Sequence, residues 1–251
     1  MPIRNTDRQW EKFGKDDPYF GVLSQSRFKT AALTEETRAE FFRSGEEHIA
    51  EVLRKVREHI DRSFTPTKAM DFGCGVGRLV IPLSRVAKEV TGVDVSASML
   101  TEARKNCDAR SIQNVKLVSA DDELTALETN YDFIHSFIVF QHIPVQRGEL
   151  IFQRLIAQLA DGGVCVVHFT YGDERPIKRL IWWIRRIPLA ANFANLLRGR
   201  RFSYPSMEMN SYDLNRLLRF LNQCNARDVY AELTDHGGKL GVVLYFKKPA
   251  R

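Results

Sequence analysis

The chain has 251 residues, 44% hydrophobic and 27% charged, with a formal net charge of +6. That balance is ordinary for a globular protein, and it excludes disordered, collagen-like and linker-dominated chains. No uninterrupted apolar run approaches the roughly 18 residues that span a bilayer. The opening residues, Met1 to Asp7, lack an apolar segment, which argues against a secretory leader and predicts a cytoplasmic protein. Four cysteines, at 74, 107, 165 and 224, show no CxxC pair and no metal-ligand spacing. They read as reduced thiols, with no metal expected.

In chain order, residues 1–30 read as an irregular arm carrying Trp10, Phe13, Tyr19, Phe20 and Phe28, aromatics that must pack on something. Thr34, Glu35, Glu36 and Thr37 start a helix, with acids in its first turn favouring the helix dipole. Phe41, Phe42, Gly45, Ile49, Val52, Leu53, Val56 and Ile60 continue it at helical spacing, and Pro66 closes the region. Then strands and helices alternate: a strand at 68–72, a helix at 79–87 with Pro82 in its first turn, and a strand at 89–94. A helix at 96–106 follows, capped by Ser96, then strands at 115–119 and 131–137. A helix at 146–159 is expected to stop at Asp161-Gly-Gly, before an apolar strand at 164–169. After a basic insert at 171–210, a helix at 212–224 precedes two β-rich runs, 227–233 and 240–246, spaced as a hairpin.

The alternation predicts an α/β, Rossmann-like, doubly wound sheet of about seven strands. It should carry a C-terminal antiparallel hairpin, an N-terminal helical arm and a helical insert before the last two strands. One domain spans 1–251, comprising arm and helix at 1–64, core at 65–170, basic lid insert at 171–210, and closing helix and hairpin at 211–251.

The chemical signal is Asp71-Phe-Gly73-Cys74-Gly75-Val-Gly77-Arg78, between a strand and a helix. Glycines there allow a sharp turn and close ligand approach, and a helix N-terminus offers free N–H groups. Asp94 ends the second strand, where a carboxylate can accept both hydroxyls of a ribose, and Asp121 follows the third, within reach of an adenine amino group. All three acids fall at the carboxyl ends of adjacent parallel strands, where open α/β sheets bind ligands. The glycines read GxGxG, with Arg78 where a dinucleotide fingerprint wants its third glycine.

This ordered set resembles the class I S-adenosylmethionine-dependent methyltransferases over about residues 65–170 and again at 211–248. The resemblance implies S-adenosyl-L-methionine as cofactor and an enzyme that transfers its methyl group. Asp71 to Gly77 resembles the family's first motif, and the implied cofactor residues are Asp71, Gly73, Cys74, Gly75, Gly77, Arg78, Asp94, Val95, Asp121, Asp122, Ser136 and Phe137. Asp121 and Asp122 stay open as alternatives for the adenine side. Ser136-Phe-Ile-Val-Phe-Gln-His142-Ile-Pro resembles the region lining the sulfonium end. His142 reads either as a general base or as a packed histidine bracing the loop, and His168 as a weaker candidate for the same role.

No Asp/Asn-Pro-Pro-Tyr/Phe run and no Pro-Cys pair appears, which disfavours those routes to base methylation. A small-molecule, glycan or lipid-linked acceptor is expected, with oxygen as the target. An RNA methyltransferase and a non-catalytic cofactor-binding module that docks a polyanion remain the alternatives. Residues 175–207 contribute +8 and contain no acid, leaving −2 on the remainder, so the basic character is local. Ile177, Leu180, Ile181, Ile184 and Ile187 fall on one stripe of a helix, with Lys178, Arg179, Trp182, Arg185 and Arg186 opposite. That face suits a solvated lid, an anionic membrane surface met peripherally through 177–201, or nucleic acid.

Overall fold

The computed structural model describes residues 6–127, 130–174 and 207–250. Seven strands form one sheet in the order β3-β2-β1-β4-β5-β7-β6. They are β1 (Lys68–Phe72), β2 (Glu89–Asp94), β3 (Val115–Ser119), β4 (Tyr131–Ser136), β5 (Leu159–Asp173), β6 (Arg227–Asp235) and β7 (Lys239–Lys247). β1 to β5 are parallel, whereas β7 runs antiparallel to both β5 and β6. Reversal starts β7 beside the carboxyl end of β5, so Lys239 lies opposite Asp173.

Period-two alternation divides the strand side chains between two cores. Ala69, Phe133, Val164, Val166, Val243 and Tyr245 pack on one face, with residues of α3 (Glu35–His59), α4 (Val80–Ser84) and α5 (Ala97–Asp108). Met70, Ile134, Cys165, Val167, Leu244 and Phe246 pack on the other, with α6 (Val145–Gln158) and α7 (Leu214–Gln223). The doubly wound expectation follows directly from this two-sided burial. α3 begins where the sequence predicts a helix start, with a capping box in which Thr34 and Thr37 bond reciprocally. Ser96 caps α5 by accepting from the Met99 N–H at 3.1 Å.

The N-terminal arm is helical as expected, ordered as α1 (Thr6–Asp16) and α2 (Pro18–Val22), with Phe13, Tyr19 and Phe20 buried in these helices and Phe28 buried after them. Two expectations change. α4 is short, with Pro82 inside it. Asp161-Gly-Gly does not terminate α6; it lies inside β5, where the register shifts between Tyr131↔Leu159 and Phe133↔Val164. Gly162 takes φ +76 at this irregularity, and its N–H donates to the Lys248 carbonyl. The helix expected from Ile177 to Ile187, and the docking segment 177–201 that contains it, lie outside the described residues. Cys74, Cys107, Cys165 and Cys224 are free thiols. Among the described residues no helix is long and apolar enough to cross a membrane, and no group of three or more His, Cys, Asp or Glu could hold a metal ion.

Candidate functional site

The carboxyl ends of β1 and β2 are joined through backbone. The Gly73 and Cys74 N–H groups donate to the Val93 carbonyl at 2.7 and 2.9 Å, bending the loop back over β2. Gly73 takes φ +80, and a Cβ there would overlap the Val139 side chain. Glycine is thus required by conformation and by space. Asp94 then fixes the loop: its Oδ2 accepts from the Gly75 N–H and its Oδ1 from the Ser96 N–H, each at 2.9 Å. Removal from bulk water raises the Asp94 carboxyl to about 6, against the lowering effect of those two N–H groups.

Around this loop lies a cavity of about 480 Å³. That is within the roughly 300–1,000 Å³ typical of small-molecule sites. Of the residues singled out in the sequence, Gly73, Gly75, Asp94, Val95, Asp121, Asp122, Phe137 and His142 line it. Asp71, Cys74, Gly77, Arg78 and Ser136 do not, because each is used behind the wall. Asp71 is buried and bonded to His135 Nδ1 at 2.9 Å, and His135 Nε2 lies 3.1 Å from His48 Nε2 on α3. The Cys74 thiol is buried and pushed up well above its usual range by desolvation. Gly77, at φ +88, faces Ala103 of α5. Arg78 is buried against α3, with Nη1 3.4 Å from Ser44 Oγ, and burial lowers it to about 10. Ser136 Oγ donates to the Phe72 carbonyl at 2.9 Å. His168 is likewise outside the lining; it is buried, lowered by desolvation to about 3, and its Nε2 lies 3.2 Å from Thr234 Oγ1.

The two candidate acids differ in their commitments. Asp121 accepts from the Thr125 N–H and hydroxyl at 3.0 and 2.6 Å. Asp122 accepts from Arg147 Nε at 2.7 Å, and the same guanidinium grips Asp7 of α1 at 2.7 and 2.9 Å. Arg147 therefore clamps α1 over the cavity, where Thr6, Asp7 and Trp10 line it. A second tether is Glu11, which accepts from Ser96 Oγ and from the Ser98 N–H and hydroxyl. Burial works to raise the Glu11 carboxyl, but the Ser98 and Ser96 donors outweigh it and hold it near 2. Sequence reasoning found the aromatic Trp10 but not Asp7 or Arg147, whose partners are distant in the chain.

His142 is buried. Its Nδ1 lies 2.7 Å from the Glu208 carbonyl, so Nδ1 carries the hydrogen, and Nε2 faces Gln141 Nε2 at 3.1 Å. Gln141 Oε1 accepts from Thr170 Oγ1 at 2.8 Å, which agrees with an amide N–H pointing at the imidazole. Desolvation lowers His142 to about 4, so the ring is neutral near pH 7. Residues 207–213 are stitched to the Phe140–His142 turn: the Asn210 N–H donates to Gln141 O, and the Tyr212 hydroxyl lies 3.0 Å from both the Phe140 and Ile143 carbonyls. Met207 and Met209, flanking the bonded Glu208, line the cavity. No local sequence signal points to these two methionines, nor to His236 and Lys239 at the β6–β7 turn.

Strand order, glycine loop and acid positions together define a Rossmann-like, class I methyltransferase fold. Residues 69–163 match the family described as a methyltransferase domain. Over 76 residues it is 34% identical to a ubiquinone biosynthesis O-methyltransferase of Hydrogenovibrio crunogenus, covering 30% of this chain and 32% of that protein. Over 54 residues it is 37% identical to a 23S rRNA uracil methyltransferase of Aeromonas salmonicida, covering 22% and 12%. The chain thus spans a third or less of these relatives. Magnesium protoporphyrin IX methyltransferase from Synechocystis PCC 6803, solved with bound SAM, superposes with TM-score 0.61 at 14% identity over 99% of both chains, a likeness of fold.

Proposed function

We propose that the chain is an S-adenosyl-L-methionine-dependent methyltransferase acting on a small-molecule acceptor, with oxygen as the target. The observation that carries the reading is the single cavity running from the Gly73–Gly75 loop and Asp94 to an apolar far end. The chain fits the cofactor: a glycine cradle that a Cβ would fill, and a carboxylate at the end of β2 with lone pairs left for ribose hydroxyls. Asp122 is committed to Arg147, so Asp121 is assigned to the adenine side. Val95 and Phe137 complete the walls. When bound, S-adenosylmethionine supplies an electrophilic methyl group. The protein's part is alignment and exclusion of water, which the clamped α1 serves.

His142 is assigned here as the brace of residues 207–213, since both ring nitrogens are engaged. An acceptor oxygen already ionised at working pH needs no base from it. The relative matched over 76 residues is named an O-methyltransferase, which supports oxygen. Calorimetry with S-adenosylmethionine, followed by a screen for S-adenosylhomocysteine formed on small-molecule and lipid extracts, tests the proposal. Binding and turnover are expected. Thermal stabilisation by NAD and none by S-adenosylmethionine refutes it.

A further inference from the structure

The β6–β7 turn places a histidine at the cavity. Gly237 and Gly238 take φ +68 and +84, the pair of positive values that closes a two-residue hairpin. The His236 N–H donates to the Lys239 carbonyl at 3.0 Å, and the Gly238 carbonyl accepts from the Glu174 N–H at 2.9 Å, which pins the turn to the end of β5. Period-two alternation puts Thr234 and His236 on one face. Thr234 Oγ1 lies 3.2 Å from His168 Nε2, and the His236 ring stands edge-on to the rings of His168 and Phe137, with centroids 5.4 and 6.1 Å away. Phe137 and His236 both line the cavity. Phe137 lies two residues before Val139, the side chain against Gly73, so this ring cluster stands where the glycine loop meets the apolar wall. The lining acids and the other lining histidine are committed. Asp7 and Asp122 grip Arg147, Asp121 accepts from Thr125, and Asp94 holds the glycine loop. Both ring nitrogens of His142 are engaged. Among the described residues, by contrast, the His236 ring meets Phe137 and His168 alone, and neither of its nitrogens is hydrogen-bonded. His236 is also exposed, so a proton taken there can pass on to water.

We infer that His236 is the general base of the methyl transfer, taking the proton of a hydroxyl carried on an apolar acceptor. This rests on the methyl-transfer reading and names the acceptor's reacting group. The acceptor oxygen bonds to the methyl carbon as the carbon–sulfur bond breaks and leaves its electron pair on sulfur; the hydroxyl proton passes to the lone pair of a His236 nitrogen. Imidazole suits the task because it takes and releases a proton near neutral pH. The wall beside it, with Phe137, Ile138, Val22, Met207 and Met209, fits an aromatic ring or hydrocarbon.

The test uses the full chain saturated with S-adenosylhomocysteine, with 2-naphthol as fluorescent probe. Its hydroxyl becomes strongly acidic in the excited state, and a base in contact with it gives a separate naphtholate emission. Probe bound to the wild type should show the naphtholate band. His236→Phe and His236→Gln should both return the emission to that of neutral naphthol, since neither side chain is a base, with S-adenosylhomocysteine affinity unchanged. In the wild type 2-naphthol should bind about fivefold more tightly than 2-methoxynaphthalene, as one hydrogen bond of ordinary strength predicts, and in His236→Phe the two should bind equally. Naphtholate emission that survives both substitutions overturns the inference, as does equal affinity for the two rings in the wild type or no binding of either. Those results with intact S-adenosylhomocysteine binding leave the methyl-transfer reading standing. Absence of that binding in the wild type removes both.

Discussion

Cofactor affinity should fall as pH drops through about 6, and Asp94 should be the cause. Its folded carboxyl sits near 6 against an ordinary 3.8 because it is removed from water. For the ligand-free fold this means protonation is favoured: the stabilising contribution is full below the ordinary value and is lost as pH rises through about 6. Ligand binding has the opposite sign, since only the ionised carboxylate is a charge-assisted acceptor for two ribose hydroxyls. At about pH 5 roughly one carboxylate in eleven is ionised, so affinity should be about tenfold weaker than at about pH 7.5, or about 1.4 kcal/mol. Glu11 stays ionised well below this window, and His142 and His168 stay neutral throughout. Calorimetric titration of S-adenosylhomocysteine at the two pH values measures the slope, and Asp94→Asn is the control. The variant should bind about 1–3 kcal/mol more weakly at high pH and lose most of the slope. Unchanged affinity at low pH, or the same slope in the variant, refutes the ribose role.

Gly75→Val should abolish S-adenosylmethionine binding in calorimetry while circular dichroism retains the fold, because the residue holds φ +52 and a Cβ would lie 2.5 Å from Val22 Cγ2. Gly148→Ala should lower thermal stability by about 2–4 kcal/mol, since its Cβ would overlap the Tyr212 hydroxyl and dislodge residues 207–213; denaturant melts check it. Arg147→Met should release α1 and quicken S-adenosylhomocysteine dissociation by about tenfold in stopped-flow, with protease cleavage appearing before residue 17. His142→Asn, which retains an N–H for the Glu208 carbonyl, should keep turnover within about tenfold of wild type; a loss of about 10²–10⁴ instead identifies a general base.

The core was legible because its signals are local. β1, β2 and β3 fall on the expected residues, α3 starts at Thr34 as expected, and the Ser96 cap holds because its hydroxyl satisfies an N–H three residues away. The misses are non-local. α1 has a predominantly polar sequence, and it is fixed by Arg147, 140 residues from Asp7, and by Ser98, 87 residues from Glu11. Asp161-Gly-Gly carries the usual signature of a helix stop, yet Leu159 already pairs with Tyr131, and the glycines instead absorb a register shift set by β4 and β7. No local pattern distinguishes those outcomes.

The motif itself divides into two jobs. Gly73, Gly75 and Asp94 face the cavity, whereas Asp71, Cys74 and Arg78 hold the loop to the structure beneath it. Asp71 does so through His135 to His48, and Arg78 through Ser44, so both anchor the loop to α3. The sequence of the motif therefore reports a rigid cofactor end as a unit, and it is silent about the opposite wall. That wall comes from α2, residues 207–213 and the β6–β7 turn, which share few bonds with the loop. Its chemistry can change with little effect on Asp94 or the glycines, and the relatives matched over 76 and 54 residues carry the different names of a ubiquinone biosynthesis O-methyltransferase and an rRNA uracil methyltransferase. On the proposed reading, substitutions at Met207 and Met209, which line that wall, should shift the KM for the acceptor while leaving S-adenosylmethionine affinity untouched.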